Sequence, residues 1–253
     1  MPRFKLVLEY DGAGFHGWQL QSGMRSVQGV VESALEEVLR LPVRVFAAGR
    51  TDAGVHAAGQ AAHLDAPERM RPEALRRALN AVLPRDVAVL AFEPAAPDFD
   101  ARRDAVAKRY VYRILNRVQP SPLRRARTWH LRRALDVDAM GLAAAPLLGT
   151  HDFAAFQGAP GGGKEGSDTR RSLTRLEATR SGDEVFVVAE GRSFLRHMVR
   201  NLVGTLVEVG RGRRAAEDVP EVLRSGDRSR AGPTAPAHGL CLEWVAYPPP
   251  GSS

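Results

Sequence analysis

The stretch AGRTDAGVHA, residues 48–57, decides how this chain is interpreted. It places one carboxylate, Asp52, between Gly49 and Gly54, with Arg50 two residues before it. Glycine allows tight backbone geometry and close approach of another molecule, and a nearby guanidinium favours an ionised carboxylate. An ionised aspartate in an open, cationic turn suits covalent or acid–base chemistry on an anionic polymer. The alternative, favoured for any single aspartate, is a turn residue that bonds its own backbone.

The segments around this stretch predict alternating strands and helices. Four of them have the pattern of strands: residues 4–10, 43–48, 60–64 and 87–92. Ser26 suits the N-cap of a helix that runs to about residue 40, and Pro72 suits the first turn of a helix that ends near residue 82. The first half therefore has the predicted order β-α-β-β-α-β, with Asp52 in the connection between two strands.

A domain boundary is predicted within residues 94–103, which contain two prolines and show little periodicity. The predicted domains are residues 1–100 and 101–247. Residues 248–253, with the sequence PPPGSS, are expected to form a disordered tail. Because the second half also mixes strand and helix patterns, both domains are predicted to be α/β.

A strand with a period of two is predicted over residues 108–116. Tyr110, Tyr112 and Ile114 lie on one face of this strand. The pattern alone therefore makes Tyr110 a residue of the packed face of a sheet.

A helix is predicted from Ser193 to about Gly210, and its apolar arc is wide enough that most of the helix must be buried. Arg200 lies at the edge of this arc. An arginine in this position can project into a cleft at the rim of the core, or its guanidinium can extend into solvent while its stem packs on the protein. The pattern alone does not separate these two arrangements.

The charge of the chain indicates an anionic partner. Its 253 residues include 36 basic and 29 acidic ones, for a net charge of +7 and an isoelectric point near 10.2, and nearly all the basic residues are arginine. Between residues 100 and 133, eleven basic residues stand against two acidic ones, with aromatic residues among them. Arginine binds phosphate in bidentate geometry and stacks on bases, which favours RNA. A solvated basic face, or an arginine-rich coding bias, is the alternative.

Other features argue against a metal site, secretion and a membrane span. The single cysteine, Cys241, lies in an apolar run, and the seven histidines show no zinc-like spacing with it, so no metal is predicted. The N-terminus lacks the apolar core of a signal peptide, and no apolar run approaches the roughly 18 residues of a membrane span. These features predict a cytoplasmic protein without membrane contact.

Residues 158–164, GAPGGGK, have the spacing of a phosphate-binding P-loop. The next residue is Glu165, where that motif needs Ser or Thr to hold magnesium. A surface loop over residues 158–168 is therefore predicted instead of a nucleotide site.

Several motifs together resemble the TruA-type tRNA pseudouridine synthases, in the family's order and over nearly the whole chain. They are YDG (10–12), FHGWQ (15–19), SVQ (26–28), GRTDAGVH (49–56), Asn80 with Leu83-Pro84, AKRYVY (107–112), FLRHMVRN (194–201) and APAHGL (235–240). The resemblance implies two similar α/β domains, each a largely antiparallel sheet with helices on one face, that flank a basic RNA-binding cleft.

The resemblance also implies an activity and partners. It predicts an isomerase that converts uridine to pseudouridine at positions 38–40 in the anticodon stem-loop of tRNA, and a homodimer. The reaction breaks the N-glycosidic bond, turns the uracil and rejoins it through C5. It needs no redox step, group donor or metal, so no cofactor is predicted.

Five side chains receive roles from the resemblance. Asp52 is the essential carboxylate, and attack at ribose C1′, attack at uracil C6 and removal of a sugar proton all remain open for it. Tyr110 stacks on the flipped uracil, and its phenol is a candidate for proton transfer at C5. Arg200 pairs with Asp52. Arg50 contacts the RNA backbone or occupies the space left by the flipped base, and Leu240 packs against the uracil.

Two alternatives share this fold. One is a non-catalytic RNA-binding or chaperone protein, and the presence of Asp52 beside Arg50, Tyr110 and Arg200 argues against it, because binding alone needs no carboxylate in a basic cleft. The other is a synthase that acts on another RNA, with the same chemistry and a different target.

Overall fold

The computed structural model describes residues 1–158 and 168–249. These form two compact units, Met1–Lys108 with the segment from Cys241 onward, and Arg109–Leu240. Most of the loop predicted over residues 158–168 lies outside the described residues, and so do residues 250–253 of the predicted tail.

The first unit is built on a sheet, in which the strand Arg3–Tyr10 alternates buried and less buried residues and the strand His56–Asp65 is buried at most positions. Its strands are β1 (Arg3–Tyr10), β2 (Phe46–Ala47), β3 (His56–Asp65), β4 (Val87–Ala95) and β10 (Leu240–Ala246). The order is β4-β1-β3-β10, and β2 also pairs with β3. β1 runs antiparallel to both β3 and β4, whereas β10 runs parallel to β3.

Two helices complete the first unit and match their predictions. Helix α1 (Val27–Leu39) begins after Ser26, whose hydroxyl accepts a hydrogen bond from the Gly29 N–H at 3.2 Å. Helix α2 (Pro72–Val82) has proline in its first turn. The predicted order β-α-β-β-α-β is thereby confirmed for the first half of the chain.

The second unit also combines strands with helices. Its strands are β5 (Ala107–Asn116), β6 (Trp129–Leu131), β7 (Gly149–Asp152), β8 (Arg170–Ser181) and β9 (Glu184–Gly191), and its helices are α3 (Val137–Ala144), α4 (Met198–Gly210) and α5 (Val219–Ser225). The strand order is β5-β9-β8-β7, with β6 parallel to β5. β8 is antiparallel to β7 and β9. The predicted mixed α/β class with largely antiparallel pairing is confirmed.

Helix α4 begins five residues later than the Ser193 predicted for it. His197 adopts the left-handed conformation, with φ 59°, and interrupts the helical path. The carbonyl of Arg196 accepts a hydrogen bond from the Gly158 N–H at 2.8 Å, a contact distant in sequence. The start of α4 therefore depends on His197 and on the contact between Gly158 and Arg196. Almost all of the helix is buried, as predicted.

The two units differ from the predicted domains, 1–100 and 101–247, in two respects. The boundary falls at residues 108–109, and the segment from Cys241 belongs with the first unit. The reason is the pairing of β10, in which Cys241 and Leu242 lie opposite His56 and Ala57 of β3. The division into two independent domains stays a prediction.

Within residues 1–158 and 168–249, no helix combines the length and the apolar character that a membrane crossing needs.

Candidate active site

Asp52 lies in the connection between β2 and β3, as predicted. This connection, residues 48–55, is called the Asp52 loop below. The Val55 N–H donates to the Asp52 carbonyl at 3.1 Å and closes a turn around Asp52 and Gly54, where φ is 78°. The Asp52 side chain is half-buried, and Arg50 is exposed. A carboxylate and a guanidinium are therefore presented from one short turn.

The Asp52 loop rests directly on the backbone of residues 12–18. The Trp18 N–H donates to the Thr51 carbonyl at 3.0 Å, and the Gly54 N–H donates to the Phe15 carbonyl at 3.2 Å. Gly17 has φ 91°, and a Cβ there would lie 2.7 Å from the Thr51 carbonyl oxygen. The backbone of the FHGWQ motif thus supports the Asp52 loop. Its close approach to Thr51 requires glycine at position 17.

A buried polar network lies under the same loop. The Gln60 Nε2 amide donates to the Gly49 carbonyl at 2.8 Å and to the Tyr10 hydroxyl at 3.3 Å. The Tyr10 and Thr51 hydroxyl oxygens lie 2.8 Å apart. All three side chains are buried, and burial raises the pKa of Tyr10 well above its usual range. Tyr10 therefore acts in this network as a neutral hydroxyl.

His56, at the end of the loop, joins it to the YDG motif. The Gly12 N–H donates to His56 Nδ1 at 3.1 Å, and Asp11 Oδ1 lies 3.1 Å from the same nitrogen. A Cβ on Gly12 would overlap with the Val55 carbonyl oxygen. The YDG and GRTDAGVH motifs are therefore neighbours in space, although about forty residues separate them in sequence.

Tyr110 lies on β5 in the second unit and is buried, with 8% of its surface exposed. Its ring meets the Phe194 ring edge-on, with centroids 5.1 Å apart and planes at 82°. Tyr112 and Ile114 are completely buried, which confirms the predicted shared face. The Tyr112 hydroxyl donates to the Pro236 carbonyl at 2.8 Å.

Arg200 lies in the first turn of α4 and is joined to Ala235 by two hydrogen bonds. Its Nε donates to the Ala235 carbonyl at 2.8 Å, and its own carbonyl accepts from the Ala235 N–H at 3.1 Å. Burial raises the pKa of Tyr112, and the positive charge of Arg200 opposes that rise. The Arg200 guanidinium is therefore a neighbour of Tyr112 and is held by protein atoms.

The five predicted site residues are divided between the two units. Arg50 and Asp52 belong to the first, and Tyr110 and Arg200 belong to the second, which ends at Leu240, the first residue of β10. Leu240 is buried and follows a short 3₁₀ turn, Ala237–Gly239. The roles assigned to all five stay predictions.

No role followed from the sequence for the polar side chains that support the Asp52 loop. Gln60 had a usable signal, because a two-residue period places it on the same face of β3 as Ala62 and Leu64, where a polar side chain is unexpected. In the structure, nearly the whole strand is buried. Lys108 is another buried polar residue, and its Cε lies 3.6 Å from the position a Cβ would take on Gly49. The two-residue period of β5 places it on the buried face of Tyr110 and Tyr112, but its proximity to Gly49 depends on contacts between distant segments.

Comparisons with known proteins place the chain in a family. Residues 6–104 and 143–248 match the sequence profile described as tRNA pseudouridine synthase. The chain is similar to the tRNA pseudouridine synthase A of Myxococcus xanthus, with 54% identity over 98% of this chain and 92% of that protein. A protein of the same name from Methylobacterium sp. (strain 4-46) is 51% identical over 99% of this chain and 100% of its own length. The one from Paramagnetospirillum magneticum is 48% identical over 98% of this chain and 96% of its own length.

Among solved structures, a chain of a Cbf5–Nop10–Gar1 complex is similar at 13% identity and a TM-score of 0.32, over 80% of this chain and 54% of that one. No conclusion about this chain follows from similarity at that level. The profile match and the relatives show that the chain belongs to the tRNA pseudouridine synthase family, and it is an isomerase that acts on tRNA.

Proposed function

We propose that this chain converts uridine to pseudouridine at positions 38–40 in the anticodon stem-loop of tRNA, with Asp52 as the essential carboxylate and no cofactor. The observation that carries the proposal is the Asp52 loop. Its backbone is held on both sides of Arg50 by hydrogen bonds, while Asp52 is only partly buried. Such a fixed carboxylate suits each of the three steps open for Asp52, attack at ribose C1′, attack at uracil C6 and removal of a sugar proton.

The chemistry suits these side chains. Cleavage of the N-glycosidic bond builds positive charge on the ribose, and a carboxylate stabilises or traps it. A uridine must leave its stack to be reached, and the flipped base needs an aromatic face, which Tyr110 offers. In the proposed scheme Arg200 pairs with Asp52, Arg50 contacts the RNA backbone and Leu240 packs against the uracil.

The proposed partners follow from charge and from the family. The net charge is +7, and nearly all the basic residues are arginine. Both features support binding to the phosphates of a folded RNA. We further propose that the chain works as a homodimer in the cytoplasm, where its tRNA substrate is found.

The test is pseudouridine mapping on an unmodified tRNA transcript with uridines at 38–40, without added cofactor. Wild type should modify these positions, and Asp52→Asn should lower the rate by about a thousandfold or more, as loss of an essential group does. The matched control is Asp138→Asn, which removes an exposed carboxylate from the first turn of α3 and should leave the rate unchanged.

Three outcomes would contradict parts of the proposal. Full activity of Asp52→Asn would remove the carboxylate from the mechanism. Modification at other positions or on another RNA would overturn the assignment to 38–40. RNA binding by both proteins without modification by either would favour a non-catalytic RNA-binding protein. Mass measurement in solution tests the homodimer separately.

A further inference from the structure

Gln60 is completely buried in β3, and its amide is directed to the Asp52 loop. The Nε2 group makes both of its hydrogen bonds there, to the Gly49 carbonyl and to the Tyr10 hydroxyl. A flipped amide would set its oxygen against the Gly49 carbonyl oxygen. The 2.8 Å contact with Gly49 therefore fixes the orientation of the side chain.

The hydrogen bonds run in one direction from Gln60 to the loop. Because the Tyr10 hydroxyl accepts from Gln60, its own proton is available for Thr51 Oγ1 at 2.8 Å. Gln60 thus holds Gly49 directly and Thr51 through Tyr10. These are the residues on either side of Arg50, and Thr51 immediately precedes Asp52.

The other end of the amide has no such role. Within the described part of the chain, Gln60 Oε1 is buried and has no hydrogen-bond partner. A buried oxygen without a partner costs free energy, and an apolar side chain of the same size would avoid that cost. Glutamine is therefore not the most stabilising residue for this position. Compared with methionine, an apolar residue of similar size, it adds the Nε2 group that donates to the Gly49 carbonyl.

We propose that Gln60 is a positioning residue, whose amide fixes the Gly49 carbonyl directly and the Thr51 side chain through Tyr10, and thereby the place of Asp52. The inference rests on the proposed role of Asp52. A shift of about 1 Å in a reacting group can lower a rate by about a hundredfold, so the effect should fall on the chemical step.

Gln28 provides a matched comparison in the same unit. It is equally buried, but its Oε1 accepts from the Leu20 N–H and from Gln19 Nε2, while its Nε2 donates to Glu32 and to the Val45 carbonyl. None of these partners belongs to the Asp52 loop. The Gln28 side chain therefore joins α1 to neighbouring segments. It makes no hydrogen bond to Gly49, Tyr10 or Thr51, although Gln19 is the last residue of the FHGWQ motif.

The experiment compares Gln60→Met with Gln28→Met, by steady-state kinetics at varied tRNA concentration and by urea denaturation. Gln60→Met should lower kcat about 10- to 100-fold with KM for tRNA unchanged, since only the placement of Asp52 is lost. Its denaturation midpoint should change little, because removal of the unpaired oxygen offsets the lost hydrogen bonds. Gln28→Met should show the reverse, a lower midpoint and an unchanged kcat.

Gln60→Glu adds a readout that a purely structural role would not move. Its shape is that of glutamine, but the ionised carboxylate repels the Gly49 carbonyl, whereas the protonated acid can donate to it. Burial raises the pKa of such a carboxyl group. The kcat of Gln60→Glu should therefore recover as the pH is lowered, through a titration that wild type and Gln60→Met lack.

The inference is overturned if Gln60→Met keeps the wild-type kcat, or if Gln60→Glu has the pH profile of wild type. The inference is also overturned if Gln60→Met and Gln28→Met both lose kcat and stability together, because the two glutamines would then have the same structural role. If Asp52→Asn is inactive and Gln60→Met is not impaired, this inference alone fails; if Asp52→Asn is active, the proposed function fails.

Discussion

The Asp52 loop and the strand that carries Tyr110 hold their side chains by opposite means. The loop has no regular structure, and backbone hydrogen bonds to residues 12–18 and the buried amide of Gln60 hold it. Tyr110 instead occupies the middle of the regular strand β5, and its ring packs edge-on against Phe194. One group is placed by directional polar contacts and the other by burial of an apolar face.

This difference matches the chemistry proposed for the two residues. A carboxylate that acts on one atom of the uridine needs a position defined to a fraction of an ångström. A ring that stacks on a base tolerates sliding, because every part of a base has a π-face. Substitutions in the loop should therefore affect catalysis through small displacements, and substitutions on β5 should act mainly through the group that is removed.

The largest loss of stability is expected from Gly12→Ala. The new Cβ would overlap with the Val55 carbonyl oxygen, so the backbone under the Asp52 loop must move. Unfolding free energy should fall by about 3 kcal/mol, at the upper end for overpacking, and pseudouridine formation should fall with it. Urea denaturation and the mapping assay measure the two quantities.

Gly141→Ala is the control for this substitution. A Cβ on Gly141 would meet no other atom within 4 Å, and alanine in a helix is more favourable than glycine by about 0.5–1 kcal/mol. This variant should be at least as stable as wild type and equally active. Equal behaviour of the two alanine variants would show that the loop tolerates displacement.

An intermediate effect is expected from removal of single hydroxyl groups on β5. Tyr112→Phe loses the hydrogen bond to the Pro236 carbonyl and should lower the unfolding free energy by about 1–2 kcal/mol, with little change in kcat. Tyr110→Phe keeps the ring against Phe194 and should keep most of its stability. If the phenol takes part in proton transfer at C5, its kcat should fall by about a hundredfold.

These two tyrosines serve as each other's controls, because they lie two residues apart on the same face. A normal kcat for Tyr110→Phe would restrict Tyr110 to stacking and leave the rest of the scheme intact. A large loss of kcat in Tyr112→Phe would mean that β5 also needs directional contacts, and the contrast with the loop would fail.

The elements that the sequence predicts well are those defined by local patterns. The Ser26 cap, the Pro72 start of α2 and the two-residue period of β5 all depend on neighbouring residues, and the structure confirms them. The connection that carries Asp52 was also predictable, because it lies between two strand patterns.

The features that were not predictable depend on contacts between distant segments. The start of α4 is set by the left-handed His197 and by the bond from Gly158 to Arg196. The assignment of β10 to the first unit depends on its pairing with β3. The support of the Asp52 loop by Gln60 depends on the packing of three segments, and only the unexpected polarity of that position was visible in the sequence.

The smallest effect is expected from the titration of His63, another polar anchor on β3. Its Nδ1 accepts a hydrogen bond from the Ala101 N–H at 3.0 Å, and its ring stacks on Phe46 with centroids 5.2 Å apart. Burial lowers the pKa of His63 below 6.5, although nearby aspartates oppose the shift. The neutral ring is therefore the form that the folded protein prefers.

The sign of the pH dependence follows from proton uptake. Between the folded pKa and about 6.5 the unfolded chain binds more protons at this histidine than the folded protein, so stability falls as the pH is lowered through that range. Urea midpoints between pH 8 and pH 5 should show this loss, and His63→Gln should remove part of it. The carboxylates whose pKa values are lowered, such as Asp65 and Asp86, lose their contribution only near and below pH 4, outside this window. If His63→Gln has the same pH dependence as wild type, protonation of His63 does not affect stability. The hydrogen bond from Ala101 to His63 would then matter less to the fold than the hydrogen bonds that hold the Asp52 loop.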